Sequence, residues 1–98
     1  MPSKLSVILP CRNEALALGG LLPRLRQVLP DAEILVVDDA STDDVAAICA
    51  AQGVRCLRHP YQKGNGAAIK TGARVAQGEI LVFMDADGQH DPADIPRL

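Results

Sequence analysis

Three side chains near the end of the sequence share a spacing suited to metal chemistry. Asp85-Ala86-Asp87 directly follows the apolar run Leu81-Val82-Phe83-Met84, and Gln89 stands two residues further on. In an extended chain residues i and i+2 face the same way. Asp85, Asp87 and Gln89 would then offer three oxygen ligands on one side. Hard divalent cations such as Mg2+ or Mn2+ take such ligands, keep other positions open and share them with a diphosphate. A DxD string alone also suits a solvated acidic turn, since Asp and Gly are common there. Its place at the end of an apolar run points to chemistry.

Three further segments have polar residues where an apolar run stops. Asp38-Asp39 follows residues 34–37 (ILVV). One of these carboxylates could accept hydrogen bonds from a base or ribose. Asp and Ser ahead of a helix also satisfy its free N–H groups. The two uses are compatible, with Ser41 and Asp44 capping while Asp39 binds a ligand. Lys63-Gly64-Asn65-Gly66 opens a helical pattern, where glycines allow close backbone approach and a helix N-terminus attracts phosphate. The string is neither a Walker loop nor a GxGxxG fingerprint, which argues against dinucleotide binding. Pro10, Arg12 and Glu14 lie in the segment PCRNE, which otherwise reads as a surface loop capped by Asn13. His59 and His90 are lone loop histidines, expected to be solvated or locally bonded rather than catalytic bases.

The elements that position these residues alternate. Residues 4–9 (KLSVIL), 33–37 (EILVV) and 79–84 (EILVFM) are short, apolar and β-branched, and read as buried parallel strands. Residues 54–58 (VRCLR) form a weaker, alternating strand near an edge. Leu18, Leu22, Leu25, Val28 and Leu29 recur at helical spacing. Pro23 suits a first turn, so this helix is expected to start near Gly19 or Gly20 and to end at Pro30. A second helix follows Ser41 and Asp44, read as a capping box, and closes at Gly53. A third runs from about Asn65 to Gln77, closed by Gly78. The order β-α-β-α-β-α-β predicts an α/β, Rossmann-like parallel sheet with right-handed crossovers. In such sheets ligands bind beyond the carboxyl ends of the strands, where all four polar segments fall.

Composition narrows the classes further. Ninety-eight residues hold one small domain, and 48% hydrophobic with 22% charged residues is globular rather than disordered composition. Ten basic against twelve acidic residues, two aromatics (Tyr61, Phe83) and no basic patch argue against nucleic acid. No apolar run suits a transmembrane segment, and no signal peptide is evident. Cys11, Cys49 and Cys56 are odd in number and lack CxxC spacing, so small buried or half-buried thiols in a reducing cytoplasmic compartment are expected.

Together the segments SVILPCRNE, ILVVDDASTD, KGNGAAIKT and EILVFMDADGQHDP resemble the nucleotide-binding half of an inverting family 2 glycosyltransferase of the GT-A fold. The last segment is similar to the branch that includes dolichol-phosphate mannose synthase and bacterial polyprenyl-phosphate sugar transferases. The resemblance implies that Pro10, Arg12 and Glu14 line the nucleoside pocket. It implies that Asp39, with Asp38 beside it, contacts the base, and that Lys63 and Gly64 border the nucleotide. Asp85 and Asp87 would hold Mg2+ or Mn2+ on the donor diphosphate, with Gln89 as a further ligand. The implied donor is a UDP- or GDP-sugar and the implied acceptor a polyprenyl phosphate or saccharide. The implied setting is the cytoplasmic face of a membrane.

The pattern departs from the family at its end. Family members supply the acceptor surface and the catalytic base after the metal motif, but eleven residues follow Asp87 here. Asp91-Pro92 reads as a helix start. The expectation is a truncated chain, with the base beyond Leu98. Two other readings compete. A haloacid-dehalogenase-like phosphatase also places DxD after an apolar strand, but at the start of its fold. A non-catalytic, receiver-like or nucleotide-binding module would also carry acids at strand ends, but its lysine does not match Lys4, Lys63 or Lys70.

Overall fold

A computed structural model describes residues 4–86 of the chain. Asp87, Gln89, His90 and the expected helix start at Asp91-Pro92 lie outside the described residues. The elements are β1 (Leu5–Cys11), α1 (Ala15–Val28), β2 (Glu33–Asp38), α2 (Val45–Gln52), β3 (Arg55–Arg58), α3 (Asn65–Val75) and β4 (Ile80–Phe83). The strands form one parallel sheet in the order β3-β2-β1-β4. The predicted alternation and the edge position of β3 are therefore observed.

The two-residue period of the strands divides the core between two faces. Val7, Leu9, Ile34 and Val36 pack against Leu18, Leu22 and Leu25 of α1 and Val45 and Cys49 of α2. Ile8, Leu35 and Val37 face the other way and meet Ala68 of α3. At Gly72 α3 approaches the sheet so closely that a Cβ would collide with Ile8 Cγ2. The chain winds outward through β2 and β3, then crosses to the far side of β1 for β4. That reversal is a topological switch point, where open α/β sheets bind ligands.

The opposite end of the sheet is closed by a part-buried polar clip. Ser6 Oγ donates to Glu33 Oε1 at 2.7 Å and accepts from Gly78 N–H at 2.8 Å. Glu33 Oε1 also accepts from Gln77 N–H at 2.8 Å. A Cβ on Gly78 would stand 2.8 Å from the backbone nitrogen of Ser6. Backbone cannot move aside as a side-chain tip can. Gly78→Ala is therefore expected to cost about 1–3 kcal/mol, read as a fall in Tm of about 4–8 °C for each kcal/mol. An unchanged Tm would show that the α3–β4 connection adjusts freely.

Four local expectations are corrected. Helix α1 starts at Ala15, not near Gly19 or Gly20, and holds Pro23 in its interior. Pro23 is exposed, so the carbonyl of Gly19 that loses its N–H partner lies where water can serve it. The Ser41–Asp44 capping box does not form: Asp44 is the N-cap of α2 without a side-chain cap bond. Asn13 does not cap α1 either, since Glu14 occupies that position. Finally, β4 is not buried. Among the described residues it borders β1 alone, and Ile80 and Phe83 are 49% and 46% exposed. Other features match. Gly53 closes α2 in the left-handed region at φ 67°. Cys11 and Cys49 are buried and Cys56 half-buried, all as free thiols.

Candidate functional site

Strand register brings the loops together. Cys11 pairs with Asp38 and Asp38 with Arg58, so β1, β2 and β3 end level. Phe83 of β4 pairs with Ile8, and Asp85 follows two residues later on the same side of the sheet end as Pro10, in the wall of one cleft. A cleft of about 390 Å³ opens above these ends. Of the eight described residues expected to hold the nucleotide or its metal, six line it: Pro10, Arg12, Glu14, Asp39, Gly64 and Asp85. Cys11, Gln62, Asn65 and Ala68 complete the wall. The sequence reading did not place these four there, although Asn65 sits inside the glycine-rich string it singled out.

Asp39 is the hub. It is 5% exposed, and three donors converge on its carboxylate. His59 Nδ1–H and Lys63 N–H reach Oδ1, both at 2.8 Å, and Gly64 N–H reaches Oδ2 at 2.9 Å. Burial alone would raise its pKa. The bonds from His59, Lys63 and Gly64 outweigh that effect and hold the carboxyl below the ordinary carboxylate range. His59 was expected to be solvated or locally bonded; it is buried, and its bonds join separate elements. Its Nε2 meets Thr71 Oγ1 of α3 at 2.9 Å. Because a carboxylate can only accept, Nδ1 carries the proton.

Asp38 plays a different part. It is fully buried and is absent from the cleft wall. Its Oδ1 accepts from Ser41 N–H at 2.8 Å and its Oδ2 from Arg58 Nη1 at 3.1 Å. Arg58 Nη2 also donates to the Ser41 carbonyl at 2.9 Å. These bonds hold the turn in which Ala40 adopts φ 60°, a left-handed conformation costly for any residue with a Cβ. Sequence reasoning had no reason to single out Arg58; its signal is the strand register alone.

The loops after β1 and β2 are also latched to each other. Asn13 N–H donates to Ser41 Oγ at 2.9 Å, and Asn13 Oδ1 accepts from Thr42 N–H at 2.8 Å. The Asp43 carboxylate accepts from Ala15 N–H at 3.0 Å, which caps the first turn of α1 from a neighbouring loop. Lys63 lies outside the cleft wall, and its ammonium sits 5.2 Å from the centre of the Tyr61 ring. Burial, with the carboxylates of Asp38 and Glu14, pushes the Cys11 thiol above its ordinary range. Cys11 is thus a neutral wall residue rather than a thiolate nucleophile.

Of the expected metal ligands, Asp85 alone is among the described residues. Its exposed carboxylate lines the cleft and is a hard oxygen donor of the kind divalent cations take. Among the described residues no group of three or more His, Cys, Asp or Glu side chains could hold a metal by itself.

Comparison with known proteins bears on this geometry. The family model for glycosyl transferase family 2 matches residues 6–98. The undecaprenyl-phosphate mannosyltransferase of Micrococcus luteus is 42% identical over 99 residues, covering 93% of this chain and 41% of that protein. The dolichol-phosphate mannosyltransferase of Pyrococcus furiosus is 38% identical, covering 97% of this chain and 29% of that protein. Among solved structures, a Pyrobaculum calidifontis mannosyltransferase in complex with GDP-Man and Mn2+ superposes with a TM-score of 0.80 at 28% identity, covering 89% of this chain and 28% of that one. Glucosyl-3-phosphoglycerate synthase from Mycobacterium tuberculosis, solved with Mn2+, UDP and glucosyl-3-phosphoglycerate, gives 0.81 at 28% identity, covering 96% and 37%. The chain therefore spans about two fifths or less of each of these relatives.

Proposed function

The chain belongs to glycosyl transferase family 2, and on that premise we propose that it forms the donor side of a sugar transfer from a UDP- or GDP-linked sugar. One observation carries this: the acids after β2 and β4, Asp39 and Asp85, line a single cleft at the switch point of the sheet. Asp39 receives the base, with Pro10, Arg12 and Glu14 along the nucleoside. The N-terminus of α3, at Gly64 and Asn65, borders the same cleft and favours phosphate. The family replaces the phosphatase and receiver alternatives.

Asp85, with Asp87 and Gln89, would hold Mg2+ or Mn2+. Such an ion, when bound, supplies positive charge to the diphosphate as it leaves. The chain's own residues bind and orient the donor, and the latched loops fix the cleft before the ligand arrives. The acceptor proposed is a polyprenyl phosphate, in keeping with the names of the relatives, with inversion at the anomeric carbon. The setting proposed is the cytoplasmic face of a membrane. No helix among the described residues is long and apolar enough to cross one, and no nucleic-acid partner is proposed.

Calorimetric titration with UDP- and GDP-sugars, with and without Mn2+, tests the proposal. A metal-dependent increase in affinity is expected. Asp87→Ala should abolish that increase while leaving stability within about 0.5 kcal/mol of the parent chain, since it removes a proposed metal ligand. A folded chain that binds neither sugar nucleotide would overturn the donor-binding reading.

A further inference from the structure

We infer that His59 is a positioning residue for the nucleotide: it fixes the Asp39 carboxylate against the packed body of α3 and so sets the cleft before a ligand arrives. This rests on the donor-binding reading above. Three of the roughly four lone-pair positions of that carboxylate are taken. Two of the donors, Lys63 N–H and Gly64 N–H, belong to the segment that leads into α3. The third, His59 Nδ1–H at 2.8 Å, is tied to the core twice. The His59 backbone N–H donates to the Asp38 carbonyl at 2.9 Å, one residue past the end of β3. Its Nε2 meets Thr71 Oγ1 at 2.9 Å. Thr71 is the neighbour of Gly72, where α3 touches the sheet so closely that a Cβ would collide with Ile8.

The ring is therefore a strut between the loop after β2 and the fixed part of α3. At 4% exposure it is enclosed, and turning it over would leave buried partners unpaired at both ends. The strut also holds in either charge state of the ring. A neutral ring with its proton on Nδ1 accepts at Nε2 from the Thr71 hydroxyl, whereas an imidazolium donates to the same oxygen. A binding group held by a second layer of locked side chains loses less freedom when the ligand arrives.

The test separates the two ends of the ring. The carboxamide nitrogen of Asn stands where Nδ1 stands, and that of Gln where Nε2 stands. His59→Asn keeps a donor for Asp39 and gives up Thr71; His59→Gln does the reverse. Urea midpoints should fall in both, since each loses a buried bond. Affinity should split them. Calorimetry with UDP and GDP in Mn2+ is expected to show His59→Gln weaker by at least about tenfold for whichever nucleotide the parent chain binds, and His59→Asn within about threefold. Full affinity in a folded His59→Gln chain, or equal losses in both folded variants, overturns the inference and leaves donor binding standing. A nitrogen NMR spectrum of the His59 ring in the parent chain needs no variant to fold. A protonated Nδ1 is expected, and a bare Nδ1 overturns the positioning role. Failure of the parent chain to bind either nucleotide, with and without Mn2+, overturns the donor-binding reading and this inference with it.

Discussion

Asp39→Ala is expected to weaken metal-free binding of the preferred nucleotide by roughly ten- to a hundredfold and to remove about 2–4 kcal/mol of stability. The two losses share a cause. The carboxylate faces the cleft with one acceptor position, and its other positions hold His59 and the backbone N–H groups of Lys63 and Gly64. Alanine strands those donors in a buried place. Urea denaturation and calorimetry measure the two effects separately. Full affinity in a folded Asp39→Ala chain would remove Asp39 from the site. The stability term also has a defined pH dependence. The folded-state pKa lies below the ordinary value of about 3.9. A depressed carboxyl pKa means that the stabilisation is fully present above the unfolded value and is lost as pH falls through the folded one. The stability gap between the parent chain and Asp39→Asn should hold steady above about pH 5 and narrow below about pH 4. A gap that widened in acid would contradict the assignment.

Asp38→Ala should cost about 2–4 kcal/mol, and Arg58→Ala less, about 1–2 kcal/mol. Both substitutions break the 3.1 Å pair, but the partners differ in exposure: the Arg58 side chain is 53% exposed and Asp38 is at 0%. Removing Asp38 leaves Ser41 N–H, donated at 2.8 Å, without its buried acceptor and frees the left-handed turn at Ala40. Removing Arg58 opens a path by which water can solvate Asp38 Oδ2. Urea midpoints of the two variants decide the order. An Asp38→Ala chain within about 0.5 kcal/mol of the parent would show that the turn stands without the carboxylate. Nucleotide affinity in Asp38→Ala should fall only as far as the loop carrying Asp39 is displaced.

The parts of the fold legible in the sequence are those governed by local pattern. Apolar runs ending in Asp38 and Met84 marked strand ends, and Gly53 marked a helix stop because only its left-handed φ was at issue. The start of α1 was not legible. Its first turn begins after Glu14 with no side-chain cap of its own, because the capping carboxylate is Asp43, 28 residues away. The capping box failed for the matching reason: the Ser41 hydroxyl already serves Asn13 N–H. The apolar run in β4 gave no warning of exposure, since burial depends on what lies alongside a strand. Within the site, the acids and glycines stood out by type and position. His59, Arg58 and Gln62 did not, because their importance comes from the register that sets Asp38 beside Arg58.

The carboxylate that reaches from the loop after β2 to Ala15 N–H also ties two segments into one cooperative unit. Fraying of the opening turn of α1 releases the Asp43 carboxylate, and displacement of Asp43 uncaps Ala15. Local opening free energies, which amide hydrogen exchange reads residue by residue, should therefore match between Ala15 and Ser41. A nucleotide bound in the cleft would then slow exchange at the start of α1 by making that shared opening rarer.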